Sequence, residues 1–302
     1  MCSIFLSLTM NIFKKLTRIC VASHDAGGAE VVSSYVKRNR LDCMYHLAGP
    51  AVDIFTKKLG PVISTSLEEC LVECDLLLCS MGWSDHEWHA LAKAKEMDKR
   101  VIVFLDHWTG YKTRFIRNEI MILPDEIWVG DTSAEIIAKE VFPNLSSKLV
   151  PNPYYADLKD EIDLLPSNDD SENTGKKILY VCEPTASKSD VSKSSGYTDH
   201  DALRYFLKCI SERKELIGSI CLRPHPSEPQ DKYAWALKNE FMSIAIGGKN
   251  SLLEEISASD WVVGRSSMAL VVGLIANKTV FSCIPIGGVP CTLPFKEILK
   301  LG

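Results

Sequence analysis

Residues 23–28 form one of four short segments in which residue types that can do chemistry are concentrated. The segment reads Ser-His-Asp-Ala-Gly-Gly, so the imidazole of His24 and the carboxylate of Asp25 precede two glycines. Gly27 and Gly28 allow a backbone to approach a ligand closely at the start of a helix, because glycine has no side chain. We therefore predict that Asp25 is a general base and that His24, Gly27 and Gly28 bind substrate beside it, with capping of the following helix as the alternative for Asp25. The spacing is not G-x-G-x-x-G, so the fingerprint of dinucleotide binding is absent.

A second carboxylate lies in residues 105–109, directly after a very apolar stretch. Asp106 is the second candidate for the catalytic base. His107 and Trp108 follow it and supply an imidazole and an indole, which are groups that hold substrates by hydrogen bonding and stacking. We predict that both bind substrate; a chance cluster at the surface is the alternative.

A histidine between two prolines is the central feature of residues 223–228, which read Arg-Pro-His-Pro-Ser-Glu. The prolines disfavour a helix and hold the imidazole of His225 in a set direction. His225 and Arg223 together have the chemistry to bind a phosphate, and the imidazole can donate to a leaving-group oxygen. We predict a catalytic role for His225 and a substrate-binding role for Arg223, with a purely structural loop as the alternative.

Serines at the start of a helix form the fourth candidate segment. Residues 264–270 join a predicted strand to an apolar helix, and Ser266 and Ser267 can cap that helix and hold an anion together with its free amides. Glu183 follows the first predicted strand of the second half of the chain, a position that often faces the interdomain cleft in two-domain α/β enzymes. We predict that all three residues contact substrate, with capping and a simple turn as the alternatives.

Strands and helices alternate along the chain, which is typical of open α/β sheets that bind ligands beyond the carboxyl ends of their strands. The pattern predicts a first domain at 18–150, a linker with a polar loop at 151–176, and a second domain at 177–302. The predicted fold class is α/β. Strands are predicted at 18–23, 43–47, 61–64, 74–80, 101–105, 126–129, 177–182, 219–223, 243–246, 260–263 and 279–283, and helices at 85–97, 133–142, 199–214, 231–241, 251–257 and 267–276.

The composition excludes several classes of protein. The 302 residues carry a net charge of −5, so we do not expect a nucleic-acid binder that neutralises many phosphates. The 11 cysteines are odd in number and lie mostly in apolar stretches, so we predict reduced thiols in a cytosolic protein and no metal site. Residues 1–10 are apolar but too short to span a bilayer, which leaves a frayed terminus or a weak anchor at a membrane surface.

The His225-Pro226 pair and the Ser266-Ser267 pair, about 40 residues apart, resemble motifs of bacterial GT-B glycosyltransferases. The families concerned are CMP-sugar sialyltransferases, polysialyltransferases and capsule Kdo transferases. The resemblance implies two Rossmann-like domains facing a cleft, with the acceptor on the first domain and the donor phosphate on the histidine and serines of the second. The acidic-acidic-glycine triplet that carries the base of such sialyltransferases is absent, and Asp25 is its nearest equivalent, with Asp106 second.

The function implied by this resemblance is inverting, metal-independent transfer of a nonulosonic acid or Kdo from a CMP-sugar to a surface-glycan acceptor, as in capsule and lipopolysaccharide biosynthesis. The nucleotide sugar and the glycan acceptor are then the partners, no separate cofactor is expected, and contact with the inner surface of the membrane is left open. The sequence also resembles non-hydrolysing UDP-N-acetylglucosamine 2-epimerases, which share the GT-B plan. A non-catalytic sugar-nucleotide-binding protein is the other alternative.

Overall fold

Two parallel sheets, each of six strands, organise the chain. The computed structural model describes residues 18–166, 175–184, 196–213, 215–229, 231–239 and 242–302. The apolar segment 1–10 and most of the polar loop predicted within 151–176 lie outside these residues. The chain divides into two compact units, Met1–Tyr154 and Tyr155–Gly302. This boundary falls inside the predicted linker.

The first unit contains one parallel sheet in the order β2-β1-β3-β4-β7-β8, and a small antiparallel pair, β5-β6. Both β1 and β3 are buried at every residue, as expected for central strands with continuous apolar runs. The elements are β1 (Ile19–Ser23), α1 (Ala26–Asn39), β2 (Cys43–Leu47), α2 (Pro50–Leu59), α3 (Leu67–Glu73), β3 (Leu76–Ser80), α4 (Asp85–Glu96), β4 (Arg100–Leu105), α5 (Tyr111–Arg114), β5 (Ile116–Arg117), β6 (Ile120–Met121), β7 (Glu126–Val129), α6 (Thr132–Val141) and β8 (Ser146–Leu149).

The second unit contains the other parallel sheet, in the order β11-β10-β9-β12-β13-β14, which is the strand order of the Rossmann fold. The boundary between the units lies within α7, the helix that precedes this sheet. The elements are α7 (Pro153–Asp163), β9 (Lys176–Val181), α8 (Asp199–Ser211), β10 (Ile217–Arg223), a 3₁₀ helix (Ala234–Lys238), β11 (Ile244–Ile246), α9 (Leu252–Ser257), β12 (Trp261–Gly264), α10 (Met268–Ile275), β13 (Thr279–Ser282) and β14 (Leu299–Lys300).

Each unit has its own hydrophobic core between its sheet and its helices. In the first unit, Val21 and Leu78 pack with Phe55 and Phe104. In the second unit, the ring of Tyr180 stacks on Phe206, with 4.4 Å between the ring centroids. Because burial of apolar surface is the main favourable contribution to folding, each unit has the means to stabilise its own sheet.

The strand order reverses once in each sheet, and the reversal places the carboxyl ends of particular strands beside a crevice. In the first sheet the reversal lies between β1 and β3, and in the second between β9 and β12. Ligands of open α/β sheets bind at such points, because the connections leave to opposite faces there. The loops that follow these four strands are therefore the first places to look for a site.

Several predicted elements differ from those observed. Residues 61–64 form a single bridge between Tyr45 and Ser64 instead of a strand, and Pro61 has no N–H to donate to a ladder. The predicted α-helix at 231–241 is a short 3₁₀ helix, Ala234–Lys238. The pairs β5-β6 and the edge strands β8 and β14 were not predicted, because their segments are very short or polar. Helix α7 begins at Pro153 inside the predicted linker, since proline is tolerated at the first helical position.

The expectation that all thiols are reduced is wrong for one pair. Cys20 of β1 and Cys70 of α3 form a disulfide, with 5.6 Å between their Cα atoms. Both residues are fully buried where α3 packs on the first sheet. Their separation of 50 residues in the sequence gives no sign of this packing. Eight other cysteines are free thiols among the described residues.

Candidate functional site

Asp25, at the carboxyl end of β1, joins two loops of the first unit. Its Oδ1 lies 2.8 Å from Nδ1 of His24, and its Oδ2 accepts hydrogen bonds from the amides of Trp83 at 2.6 Å and Ser84 at 3.2 Å. Burial alone raises the pKa of the carboxyl, but these hydrogen bonds outweigh burial and the pKa is lowered. Asp25 makes no side-chain cap to α1. An ionised carboxylate with both oxygens engaged is a weak base and a strong anchor.

Glu87 was not assigned to the site from the sequence. Its carboxylate holds the loop after β1 and the loop before α4 by hydrogen bonds. It is fully buried, and its Oε1 accepts from the amides of His24 at 2.7 Å and Asp25 at 3.2 Å. Its Oε2 accepts from the hydroxyl of Ser84. The spacing Ser84-x-x-Glu87 at the start of α4 is that of a capping box, so the pattern was visible, although its link to β1 was not.

Asp106, at the carboxyl end of β4, has the surroundings of an acid–base group. Its Oδ1 is buried and has no hydrogen-bond partner among the described residues, while Nη1 of Arg114 lies 3.6 Å away. Burial raises the pKa of Asp106, and the charge of Arg114 only partly offsets this. Arg114 is held in place by the carbonyls of Met81 at 2.9 Å and Thr109 at 3.1 Å. The geometry therefore favours Asp106 over Asp25 as the general base.

The two glycines after Asp25 make room for neighbouring side chains of the protein itself. A Cβ at Gly27 would overlap Oδ2 of Asp106, and a Cβ at Gly28 would overlap the hydroxyl of Ser80. Gly28 is buried, whereas Gly27 is exposed beside the carboxylate. The glycines thus let α1 approach β3 and β4 closely, and the ligand contact expected of them stays a prediction.

Trp108 does not offer its ring to a substrate. The side chain is buried, and Nε1 donates to Oδ2 of Asp131 at 2.8 Å, which ties the β4 loop to the start of α6. The amide of Trp108 donates to Nδ1 of His107 at 2.9 Å, so in the neutral ring the proton is on Nε2. Burial lowers the pKa of His107, and the nearby charge of Arg114 lowers it further. His107 is therefore held as a neutral donor, and Trp108 is a core residue.

His225, which follows β10 in the second unit, presents a defined tautomer. Its Nδ1 accepts from the amide of Ser227 at 3.2 Å and lies 2.7 Å from the Ser227 hydroxyl. The proton of the neutral ring is therefore on Nε2, for which no described residue provides a hydrogen-bond partner. Within the described part of the chain, this N–H is therefore available to donate to a ligand.

Glu228 holds the histidine loop and was missed by sequence reasoning. Its side chain is only 4% exposed. Its Oε2 accepts from the amide of His225 at 3.0 Å, and its Oε1 accepts from Lys232 at 2.6 Å and from the Tyr233 hydroxyl at 3.1 Å. Lys232 also pairs with Asp199. A Glu four residues before a Lys is a recognisable pair in sequence, but its burial beneath the loop is not.

Arg223 is engaged by its own domain. Its Nη1 lies 2.6 Å from Oε2 of Glu255 and donates to the carbonyl of Asn250 at 3.0 Å. Glu255 also accepts from the amide of Gly248 at 2.6 Å. The predicted phosphate contact of Arg223 would have to compete with this buried ion pair, so the structure gives it a role in fixing the edge between β10 and α9.

Glu183 follows β9. Its carboxylate accepts hydrogen bonds from the amides at the start of α10, which the sequence analysis predicted to bind a phosphate. Its Oε1 accepts from the amides of Arg265 at 2.5 Å and Ser266 at 3.1 Å. Ser267 caps α10, because its hydroxyl accepts a hydrogen bond from the amide of Ala269 at 3.2 Å. Capping was the alternative to substrate binding in the sequence analysis. This start of α10 therefore receives a negatively charged oxygen, supplied by the protein itself.

The predicted residues thus form two groups, each at the carboxyl edge of one sheet. In the first unit the group consists of His24, Asp25, Gly27, Gly28, Asp106, His107 and Trp108; in the second it consists of Glu183, Arg223, His225, Ser266 and Ser267. Among the residues that the structure describes, no cluster of three or more His, Cys, Asp or Glu is arranged to hold a metal ion. In the same part of the chain, no helix is long and apolar enough to cross a membrane.

Comparisons with known proteins bear on the fold. No protein-family model and no curated protein matches the sequence. Among solved structures, the S. aureus MnaA–UDP co-structure is 12% identical with a TM-score of 0.59, and the match covers 89% of this chain and 80% of that one. The UDP-GlcNAc 2-epimerase from Methanocaldococcus jannaschii is 11% identical with a TM-score of 0.56, covering 88% and 83%.

A glycosyltransferase structure matches as well. The glycotransferase of kitacinnamycin is 9% identical with a TM-score of 0.51, and the match covers 93% of this chain and 82% of that one. The chain has a GT-B fold. The predicted α/β class with two Rossmann-like domains is thereby confirmed, and at these identities the likeness concerns the fold.

Proposed function

We propose that the chain is an enzyme that binds a UDP-sugar and inverts one carbon of its sugar, in the manner of a 2-epimerase. The observation that carries this proposal is Asp106, a buried carboxyl with an unpartnered oxygen and a raised pKa. Inversion at a carbon requires its proton to leave and a proton to return on the other face. A carboxyl whose pKa lies above its usual range is suited to removing or returning that proton near neutral pH.

The surroundings of Asp106 support the same role. Arg114 lies close enough to moderate the charge that forms on ionisation, at 3.6 Å, without a direct hydrogen bond that would saturate the reactive oxygen. Gly27 keeps the space beside Oδ2 open, since a Cβ there would overlap that oxygen. We assign Asp25 and Glu87 the task of fixing the loops around this carboxyl.

The nucleotide proposed is UDP, and it replaces CMP as the first one to test. Three structures similar to this chain are complexes with such nucleotides: MnaA with UDP, Anabaena Alr3699/HepE with UDP-glucose, and a UDP-GlcNAc 2-epimerase with UDP-GlcNAc and UDP. In this chain, Nε2–H of His225 would hold a phosphate, and the start of α10 would hold one where it displaces the Glu183 carboxylate from the amides of Arg265 and Ser266. The nucleotide sugar is then the substrate, and no separate cofactor is part of the proposal.

A second candidate is transfer of the sugar to an acceptor, as the resemblance of the His225-Pro226 pair suggested. The free Nε2–H of His225 favours it, because a donor at that position would stabilise charge on a departing phosphate oxygen. The glycan acceptor predicted from the sequence belongs to this candidate only.

The test is incubation of the protein with UDP-GlcNAc in D₂O, followed by proton NMR of the sugar. Epimerisation predicts deuterium at the inverted carbon with no acceptor present, whereas transfer predicts release of UDP that depends on an added acceptor. Asp106→Asn is expected to reduce turnover by about 10²- to 10⁴-fold. Asp53→Asn, an exposed carboxylate of α2, is the matched control. Binding of UDP-GlcNAc with neither reaction would contradict both candidates and leave a binding protein.

A further inference from the structure

Trp83, in the loop between β3 and α4, exposes an aromatic ring at the carboxyl edge of the first sheet. It is 61% exposed, whereas the other five tryptophans are buried or half-buried. A single exposed apolar side chain is ordinary on a protein surface. What sets Trp83 apart is the set of charged groups that hold it.

The backbone of Trp83 is fixed from both sides. Its amide donates to Oδ2 of Asp25 at 2.6 Å, and its carbonyl accepts from Nη2 of Arg117 at 3.1 Å. Arg117 is itself paired with Asp85 at 2.6 Å. Because both peptide groups are bonded to charged side chains, the loop holds Trp83 in one place before any ligand arrives.

The ring of Trp83 has one covered face. The guanidinium of Arg114 lies over it, 4.9 Å from the ring centroid. Gly110, in the left-handed region with φ +67°, turns the chain at the edge of the ring, and a Cβ there would lie 3.0 Å from the indole. A buried arginine and a close turn therefore orient the indole and leave its remaining surface to solvent.

We propose that the open face of Trp83 is a stacking platform for the pyranose ring of the substrate. Rigid indoles supply a large contact area at a low cost in conformational entropy, and they line sites that bind small molecules. The negative face of the indole attracts the weakly positive C–H groups of a sugar, as it attracts other positive edges.

The platform lies next to the proposed acid–base group. Arg114 contacts both, since its guanidinium covers the Trp83 ring and its Nη1 lies 3.6 Å from Oδ1 of Asp106. Trp83 and Asp106 thus lie at the same carboxyl edge of the first sheet, with Arg114 between the carboxyl and the covered face of the indole. This inference rests on the proposed function, because the sugar that it places on Trp83 is the sugar of the proposed substrate.

The first experiment follows the indole N–H of Trp83 by NMR in the full-length protein, with its signal assigned by its absence in Trp83→Phe. Three probes are titrated separately: UDP-GlcNAc, UDP and free N-acetylglucosamine. We expect the Trp83 signal to move with UDP-GlcNAc and with N-acetylglucosamine at high concentration, and to move little with UDP. An equal response to UDP would mean that the indole contacts the uracil base or the phosphates instead of the sugar, which would overturn the platform. No response to either sugar probe would overturn it as well.

The second experiment separates stacking from a structural role as a cover for Arg114. Trp83→Leu keeps apolar cover over the guanidinium but removes the flat face, and Trp83→Phe keeps a flat face. Loss of stacking is expected to raise the KM for UDP-GlcNAc roughly threefold to tenfold in Trp83→Leu, with much less change in Trp83→Phe. Ile63→Ala, at an 83% exposed position of the same unit, is the control.

The outcomes for the platform and for the proposed function are distinguishable. Turnover by the wild type with an unchanged KM in Trp83→Leu overturns the platform and leaves the function standing. A shift of the acidic limb of kcat in Trp83→Leu, with KM unchanged, would show that Trp83 acts through Arg114 on Asp106. If the wild type shows no turnover, the function fails, and the N-acetylglucosamine titration still decides the platform.

Discussion

Asp25 and Asp106 are two carboxyl groups near one another whose surroundings move their pKa values in opposite directions. Burial raises both, but three hydrogen bonds reverse the effect at Asp25, while at Asp106 the charge of Arg114 and a hydrogen bond from its own amide offset burial only in part. Opposite shifts of this kind commonly separate the member that stays ionised from the member that exchanges a proton. The difference comes from which loop amides point at each carboxyl, and that is invisible in the order of residues.

Asp106→Asn is predicted to stabilise the protein at neutral pH while it removes activity. Because the pKa of Asp106 is raised in the folded state, the protein loses stability as the pH rises from the ordinary aspartate pKa of 3.8 through the higher folded pKa. The amide has the same shape and no charge to bury. If the gain is about 1 kcal/mol, Tm rises by roughly 2–4 °C at pH 7.5, measured by differential scanning calorimetry.

The control for this prediction is the pH dependence of the rise in Tm of Asp106→Asn. The difference in Tm between Asp106→Asn and wild type is expected to shrink as the pH is lowered towards the folded pKa of Asp106, because the wild-type carboxyl then becomes neutral too. Asp53→Asn should show no gain at either pH. A lower Tm for Asp106→Asn at pH 7.5 would contradict the burial argument.

At the scale of elements, strand–loop–helix units were predictable and contacts between distant loops were not. The run before His24 and the glycines after it predict β1 and α1 because apolar stretch, turn and helical stripe are all local. The contact of Glu183 with the start of α10 joins residues 82 apart in the sequence, and Lys232, the partner of Glu228, also pairs with Asp199, 33 residues away. The local sequence therefore identifies a loop, but it does not identify the side chains that anchor the loop.

His86, on α4, is predicted to make stability depend on pH. Its ring stacks on His46 with 4.4 Å between centroids, and Nε2 lies 3.1 Å from the His46 carbonyl. Burial lowers the pKa of His86 from the ordinary histidine value of 6.5, the nearby His46 and His24 lower it further, and the hydrogen bond to the His46 carbonyl and the charge of Glu87 oppose this only in part. Because the unfolded chain binds the proton more readily, stability is full above pH 6.5 and falls as the pH drops towards the folded pKa.

The variant that tests this is His86→Gln, which keeps an N–H donor and does not titrate. Its Tm should fall less than that of the wild type between pH 7.5 and pH 5.5, although His107 keeps part of the slope because burial lowers its pKa too. His89→Gln, an exposed position on the same helix, should retain the full wild-type slope. Equal slopes for His86→Gln and wild type would show that the stacked pair does not carry the effect.

At the scale of the whole molecule, two units with separate cores carry different parts of the proposed chemistry. The first holds the acid–base carboxyl and the indole platform, and the second holds the histidine loop and the start of α10. A ligand that binds only the folded state stabilises it by about 2.7 kcal/mol at a hundred times its dissociation constant. Because the histidine loop and the start of α10 lie in the second unit, we expect UDP to act on that unit. The Nε2–H of His225, which has no partner among the described residues, is expected to be a main contact.

Hydrogen–deuterium exchange of the full-length protein, with and without saturating UDP, tests this assignment. Protection is expected in peptides that cover 223–228 and 264–270, together with a rise in Tm that is larger than the rise with CMP. His225→Ala should lose most of both effects, whereas His89→Gln should keep them.

Glu183 holds the amides of Arg265 and Ser266, so a phosphate can bind there only by displacing that carboxylate. Exchange at 183–184 should therefore increase as exchange at 264–270 falls. Protection by UDP confined to the first unit would place the nucleotide on the other sheet and contradict the division of roles.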